Sequence, residues 1–92
     1  MVRVELTRHL FQFFPDLEGK ELLVEARNVA DVVRELDAVA PGLAFYLCDE
    51  RGRLRRHVNV FVEGVMVMDR AHLTDSVEPN GRVLIMQALS GG

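Results

Sequence analysis

The sequence predicts an α+β roll in which a mixed sheet of four to five strands packs on one main helix. Three observations carry this. Apolar and polar residues alternate with period two in Val2-Arg3-Val4-Glu5-Leu6, and within Leu54–Glu63 Val58, Val60 and Val62 recur at every second position. Only residues 29–39 place valine and leucine at three- and four-residue spacing. Gly, Pro and Asn then punctuate the chain at Pro41-Gly42, Gly52, Gly64 and Asn80-Gly81, which separates the elements cleanly.

The elements follow in order. In the first strand Val2, Val4 and Leu6 point to the core, leaving Arg3, Glu5 and Thr7 in solvent. Residues 11–19 contain Pro15-Asp16 and Gly19 and form a turn, with Phe13 and Phe14 folded back over the sheet edge. Glu21–Glu25 returns as the second strand and completes an N-terminal hairpin. Asn28 is suited to cap a helix, and Asp31 sits in its first turn, where a carboxylate complements the helix dipole. Val29, Val32, Val33, Leu36 and Val39 make the buried stripe of about three turns, which Pro41-Gly42 stops.

Leu43–Cys48 adds a short turn, and Asp49-Glu50-Arg51-Gly52 is loop chemistry. Leu54–Glu63 is the next strand, with Val58, Val60 and Val62 on one face and His57, Asn59, Phe61 and Glu63 on the other. Glu63-Gly64 turns into a brief strand at Val65–Met68. Asp69–Asn80 is polar and irregular, with a single helical turn near Leu73. Asn80-Gly81 is a turn, and Val83–Ala88 is the last strand. Residues 89–92 are expected as a flexible tail, and residues 1–92 as a single domain.

Bulk composition narrows the function. At 92 residues the chain builds one core and has no room for a cleft between domains, which disfavours an enzyme acting alone. A net charge of −3 disfavours nucleic acid and anionic membrane as partners. Cys48 is the sole cysteine, so no internal disulfide forms. The alternating N-terminus is unlike a signal peptide, and no apolar run approaches the roughly 20 residues of a membrane span. The cytoplasm is the expected compartment.

Pro41-Gly42-Leu43 after the helix, Gly52-Arg53-Leu54 leading into His57-Val58-Asn59-Val60-Phe61-Val62, Asn80-Gly81-Arg82-Val83-Leu84-Ile85 and the final Ser90-Gly91-Gly92 together resemble the MoaD/ThiS family of sulfur carriers. The family contains the small subunit of molybdopterin synthase and the thiamine sulfur carrier. The resemblance implies a ubiquitin-like β-grasp fold. It also implies that the carboxylate of Gly92 is adenylylated by a ubiquitin-activating-type adenylyltransferase and converted to a thiocarboxylate. The sulfur then passes to a synthase large subunit that makes molybdopterin or a related sulfur-containing cofactor. The chain itself binds no cofactor; the activating partner uses the ATP. Two terminal glycines coincide by chance only about 0.5% of the time at ordinary glycine usage.

The chemistry explains the residue types. A carboxylate repels nucleophiles and has no good leaving group; joining it to AMP supplies one, which a sulfur nucleophile displaces. Gly91 and Gly92 have no Cβ to obstruct a narrow channel, and they reach backbone angles that other residues avoid. The plainer reading is a frayed end. Beside the tail, Phe61, Leu84 and Met86 are expected to face outward as an apolar patch that, with Leu89 and Ser90, meets the partners. The plainer alternative is that the phenylalanines of the 11–14 loop cover these side chains within the molecule.

Arg51, Arg53, Arg55 and Arg56 beside His57 read as a solvated hairpin or as a docking point for an acidic partner; without interleaved aromatics they read poorly as a nucleic-acid patch. Cys48 reads as a buried thiol. His9, His57 and His72 have no ligand spacing, so no metal is expected. Two other functions use the same sequence: a ubiquitin-like modifier conjugated through Gly92, and a β-grasp binding module in which Gly-Gly is incidental.

Overall fold

The computed structural model describes residues 1–87. Strand β1 (Val2–Leu6) is followed by two 3₁₀ turns at Arg8–Gln12 and Pro15–Leu17, then β2 (Leu22–Val24). Helix α1 (Val29–Val39) and the short helix α2 (Leu43–Leu47) come next. Strands β3 (Val58–Val62), β4 (Val65–Met66) and β5 (Arg82–Gln87) complete the sequence of elements. The five strands form one sheet in the order β2-β1-β5-β3-β4. Only β1 and β5 run parallel, in the register Val4↔Val83 and Leu6↔Ile85; every other pair is antiparallel.

Strand alternation sends Val2, Val4, Val58, Val60, Val83 and Ile85 to one face, where each is almost fully buried. Val29, Val32, Val33 and Leu36 of α1 and Leu43 and Leu47 of α2 meet them there. This is the roll expected from the strand and helix periods. Helix α1 starts as its sequence dictates: the Asn28 side chain accepts from Asp31 N–H at 2.8 Å, and the Asp31 carboxylate accepts from Arg27 N–H at 3.1 Å. At its other end Asp37 accepts from the N–H groups of Gly42 and Ala44, both at 3.0 Å, which joins α1 to α2 through the left-handed Gly42.

Several expectations are corrected. Val39 is exposed, because α1 ends there and its last turn rotates past the core. The third strand begins at Val58 and not at Leu54. Leu54 instead bridges Cys48, and Arg55 N–H donates to Leu47 O, so the arginine-rich segment is tied to α2 before the sheet begins. In the 69–80 segment the expected single turn near Leu73 is present, closed by Leu73 N–H donating to Asp69 O at 3.0 Å. Its scaffold is the Asp69 carboxylate, which accepts from Thr74 Oγ1 at 2.6 Å and from His72 N–H at 2.9 Å. These donors favour the charged form and hold the Asp69 carboxyl down at about 2. Leu73, at a positive φ of 57°, turns inward into the core.

Asn80-Gly81 does turn the chain, with Asn80 at φ 62°. Gly81 is needed there for space: a Cβ would lie 2.8 Å from Glu78 O and 3.0 Å from Glu63 Oε1. That closeness lets Arg82 N–H reach Glu63 Oε1 as β5 begins.

Candidate functional site

Strand β5 occupies the middle of the sheet, with β1 on one side and β3 on the other. Its even-numbered residues face away from the helices. Leu84 lies opposite Phe61, Met86 opposite Asn59, and Phe61 is paired in turn with Met66 of β4. Phe61 and Leu84 are half-buried, whereas Met66 and Met86 are exposed. A shallow depression of about 520 Å³ lies over this face, lined by Glu5, Phe61, Glu63, Arg82, Leu84 and Met86. Its charged margin is internally paired, since Arg82 Nη2 donates to Glu5 Oε1 at 2.9 Å. An apolar floor within a polar rim is the usual anatomy of a protein-binding surface. The structure therefore brings Phe61, Leu84 and Met86 together on one outward face.

The phenylalanines of the 11–14 segment do not cover that face. Phe13 and Phe14 pack instead against Tyr46 of α2, Phe13 tilted with centroids 4.9 Å apart and Phe14 edge-on at 5.9 Å. His57 meets the same ring edge-on at 6.5 Å. The reason is local: the 3₁₀ turn at Arg8–Gln12 carries the chain from β1 toward the helix side of the sheet and buries Leu10.

This aromatic cluster marks where β5 ends. Tyr46 OH donates to Gln87 Oε1 at 2.9 Å, and Gln87 N–H donates to Thr7 Oγ1 at 3.3 Å. Val58 is the cross-strand partner of Gln87. The last described residue is thus gripped from three directions, by the side chains of Tyr46 in α2 and of Thr7 just after β1 and by strand pairing with Val58 of β3. Sequence reasoning missed Tyr46 and Thr7. They stand 41 and 80 positions from Gln87, and no local pattern joins them. Leu89, Ser90, Gly91 and Gly92 lie outside the described residues.

Other candidates resolve into structural roles. Cys48 is buried, and burial together with the neighbouring Asp49 charge pushes its thiol up, away from the thiolate that reactivity needs. Asp49 accepts from the N–H groups of Arg51 and Arg53 and is held below the usual carboxylate range by them. Among the described residues no group of three His, Cys, Asp or Glu side chains converges as metal ligands do, and no helix is long and apolar enough to cross a membrane.

The ThiS family model matches residues 5–92. No curated protein sequence matches significantly. Among solved structures, a chain of the Amycolatopsis orientalis BexX/CysO complex superposes with a TM-score of 0.83 at 22% identity, over 100% of both chains. CysO from Mycobacterium tuberculosis gives 0.81 at 23% identity, over 97% of this chain and 100% of that one. The small archaeal modifier protein 1 (SAMP1) of Methanosarcina acetivorans gives 0.77 at 21% identity, over 99% and 95% respectively. At these identities the superpositions speak for a common ubiquitin-like β-grasp fold.

Proposed function

The chain belongs to the ThiS family, and from that membership we propose that it is a sulfur carrier whose working group is a thiocarboxylate on Gly92. The observation that carries the proposal is the family match running through to Gly92, behind a strand whose end is pinned by Tyr46, Thr7 and Val58. A carboxylate oxygen of Gly92 attacks the α-phosphorus of ATP in the adenylating partner and releases pyrophosphate. A sulfur nucleophile then attacks the acyl-adenylate carbonyl, and AMP departs. The protein acts as a co-substrate, while its partners supply nucleotide binding and sulfur transfer. Phe61, Leu84 and Met86 form the docking face in this reading, with Leu89 and Ser90 following into the partner. The sulfur acceptor is a synthase large subunit making molybdopterin or a related sulfur-containing cofactor.

Intact mass after incubation with ATP, a ubiquitin-activating-type adenylyltransferase and a sulfur donor tests this. A mass increase of one sulfur replacing one oxygen is expected, abolished by deleting Gly92 or by adding one residue after it. An unchanged mass with every such enzyme from the same genome would refute the proposal.

The likeness to a small archaeal modifier protein favours a second reading, conjugation through Gly92 to lysines of other proteins. Isopeptide-linked adducts recovered from cells, lost on deleting Gly92, would support it; a thiocarboxylate alone would not.

A further inference from the structure

The charges of this chain are unevenly placed. The molecule is acidic overall, at −3, yet the residues flanking the end of β5 are basic. On one side Thr7 touches Gln87, and Arg8 and His9 follow it. On the other, Val58 pairs with Gln87, and Arg55, Arg56 and His57 precede it. Because β1 runs parallel to β5 and β3 antiparallel, both neighbours deliver these residues to the same end of the sheet.

Arg8 and Arg56 are exposed. Arg55 lies 4.9 Å from the centroid of the exposed Phe45 ring and donates through Nε to Phe45 O at 3.0 Å. Among the described residues none of these three arginines has a carboxylate within salt-bridge distance, whereas Arg3, Arg34, Arg53 and Arg82 each do. The nearby Asp49 is engaged by Arg53 and by the amides of its own loop. Phe13 and Phe45 stand exposed within the same region.

We propose that Arg8, Arg55 and Arg56 form a basic collar around the exit of the tail, and that it docks on an acidic protein surface rimming the channel the tail enters in its adenylating partner. This rests on the carrier reading above. An acidic molecule bearing a C-terminal carboxylate is repelled, as a whole, by a site that holds ATP. Positive charge confined to the base of the tail turns the molecule tail-first, and an acidic rim captures that orientation. Internal carboxylate partners would weaken this effect; among the described residues Arg8 and Arg56 have none, and Arg55 feels the Asp49 charge without forming a salt bridge to it. The collar lies on the helix side and end of the sheet, distinct from the outward Phe61–Leu84–Met86 face.

The test is ATP–pyrophosphate exchange by the ubiquitin-activating-type adenylyltransferase of the same genome, read against carrier concentration. The combined variant Arg8→Glu, Arg55→Glu, Arg56→Glu is expected to raise KM about tenfold or more at low salt with kcat unchanged. The gap should close at about 0.5 M salt, where the screening length falls to ~4 Å. Lysine at the same three positions should keep the wild-type KM. Arg27→Glu, at the opposite end of the sheet, makes the same change of charge per residue and should leave KM in place. Should the triple variant melt early, Arg8→Glu and Arg56→Glu singly carry the test, since both side chains are exposed.

An unchanged KM, or an equal effect from Arg27→Glu, overturns the collar while leaving the carrier reading intact. Variants that keep KM but lose binding to labelled oligouridylate would assign the patch to nucleic acid and also overturn it. No exchange with the wild-type chain refutes the carrier reading, and the collar falls with it.

Discussion

At the scale of single residues, Asp69 shows how one carboxylate replaces secondary structure. It gathers the Ala71, His72 and Thr74 N–H groups and the Thr74 hydroxyl, and so folds a loop that no periodicity describes. These donors hold its carboxyl down at about 2, below the ordinary 3.8, so the folded state binds the proton less readily than the unfolded chain. The stability it contributes is therefore complete above pH 4 and is lost as pH falls toward 2. Thermal melts across that interval should fall more steeply for the wild type than for Asp69→Asn, which should also start from a lower stability at neutral pH. Parallel curves would show that another group governs the acid limb. A sequence reading finds a polar stretch with one turn near Leu73 but not the carboxylate that holds it, because the partners of Asp69 are mostly backbone amides and any sequence has those. Tyr46 was hidden for the opposite reason: its partner Gln87 is specific but distant.

At the scale of elements, legibility tracked how local the controlling contacts are. Helix α1 was readable from Asn28 onward because its cap, its first-turn Asp31 and its apolar stripe all lie within one segment. Asn28→Ala should destabilise the fold by about 1 kcal/mol, since Asp31 N–H loses its acceptor. Urea unfolding measures this directly, with an unchanged m-value expected. A loss below a few tenths would mean that water caps the helix equally well. Strand β3 was over-extended for want of tertiary information. Leu54 falls in phase with Val58 and Val60 although Arg56 breaks the alternation, and Leu54 and Arg55 bond to Cys48 and Leu47 of the α2 segment and leave the sheet. The outward face of β5 was readable, because period two fixes it once Val83 and Ile85 are inward. What covers or fails to cover that face was not, since the destination of Phe13 and Phe14 depends on Tyr46.

At the scale of the whole molecule, the α+β class followed from counting strand and helix periods, but the central place of β5 did not. Nothing in Arg82–Gln87 states that its neighbours are Val2–Leu6 and Val58–Val62; the sheet order comes from closing the core under α1. Central strands open only when the whole fold opens, whereas edge strands fray. Amide exchange should therefore be slowest in β5, β1 and β3, approaching the global unfolding free energy, and fastest in the two-residue β4 and in β2. Early exchange in β5 would contradict the arrangement.

The same arrangement has a consequence for how the molecule is made. Without β5, the β1–β2 and β3–β4 hairpins share no strand pairing at all. The ribosome produces β5 after every other element, so the sheet has no centre until translation has passed Gln87. A chain that stops short of β5 leaves two unjoined hairpins and exposes the apolar face of α1. The fold is thus sensitive to length, because a polypeptide that stops short of Arg82 lacks the keystone that joins its two hairpins.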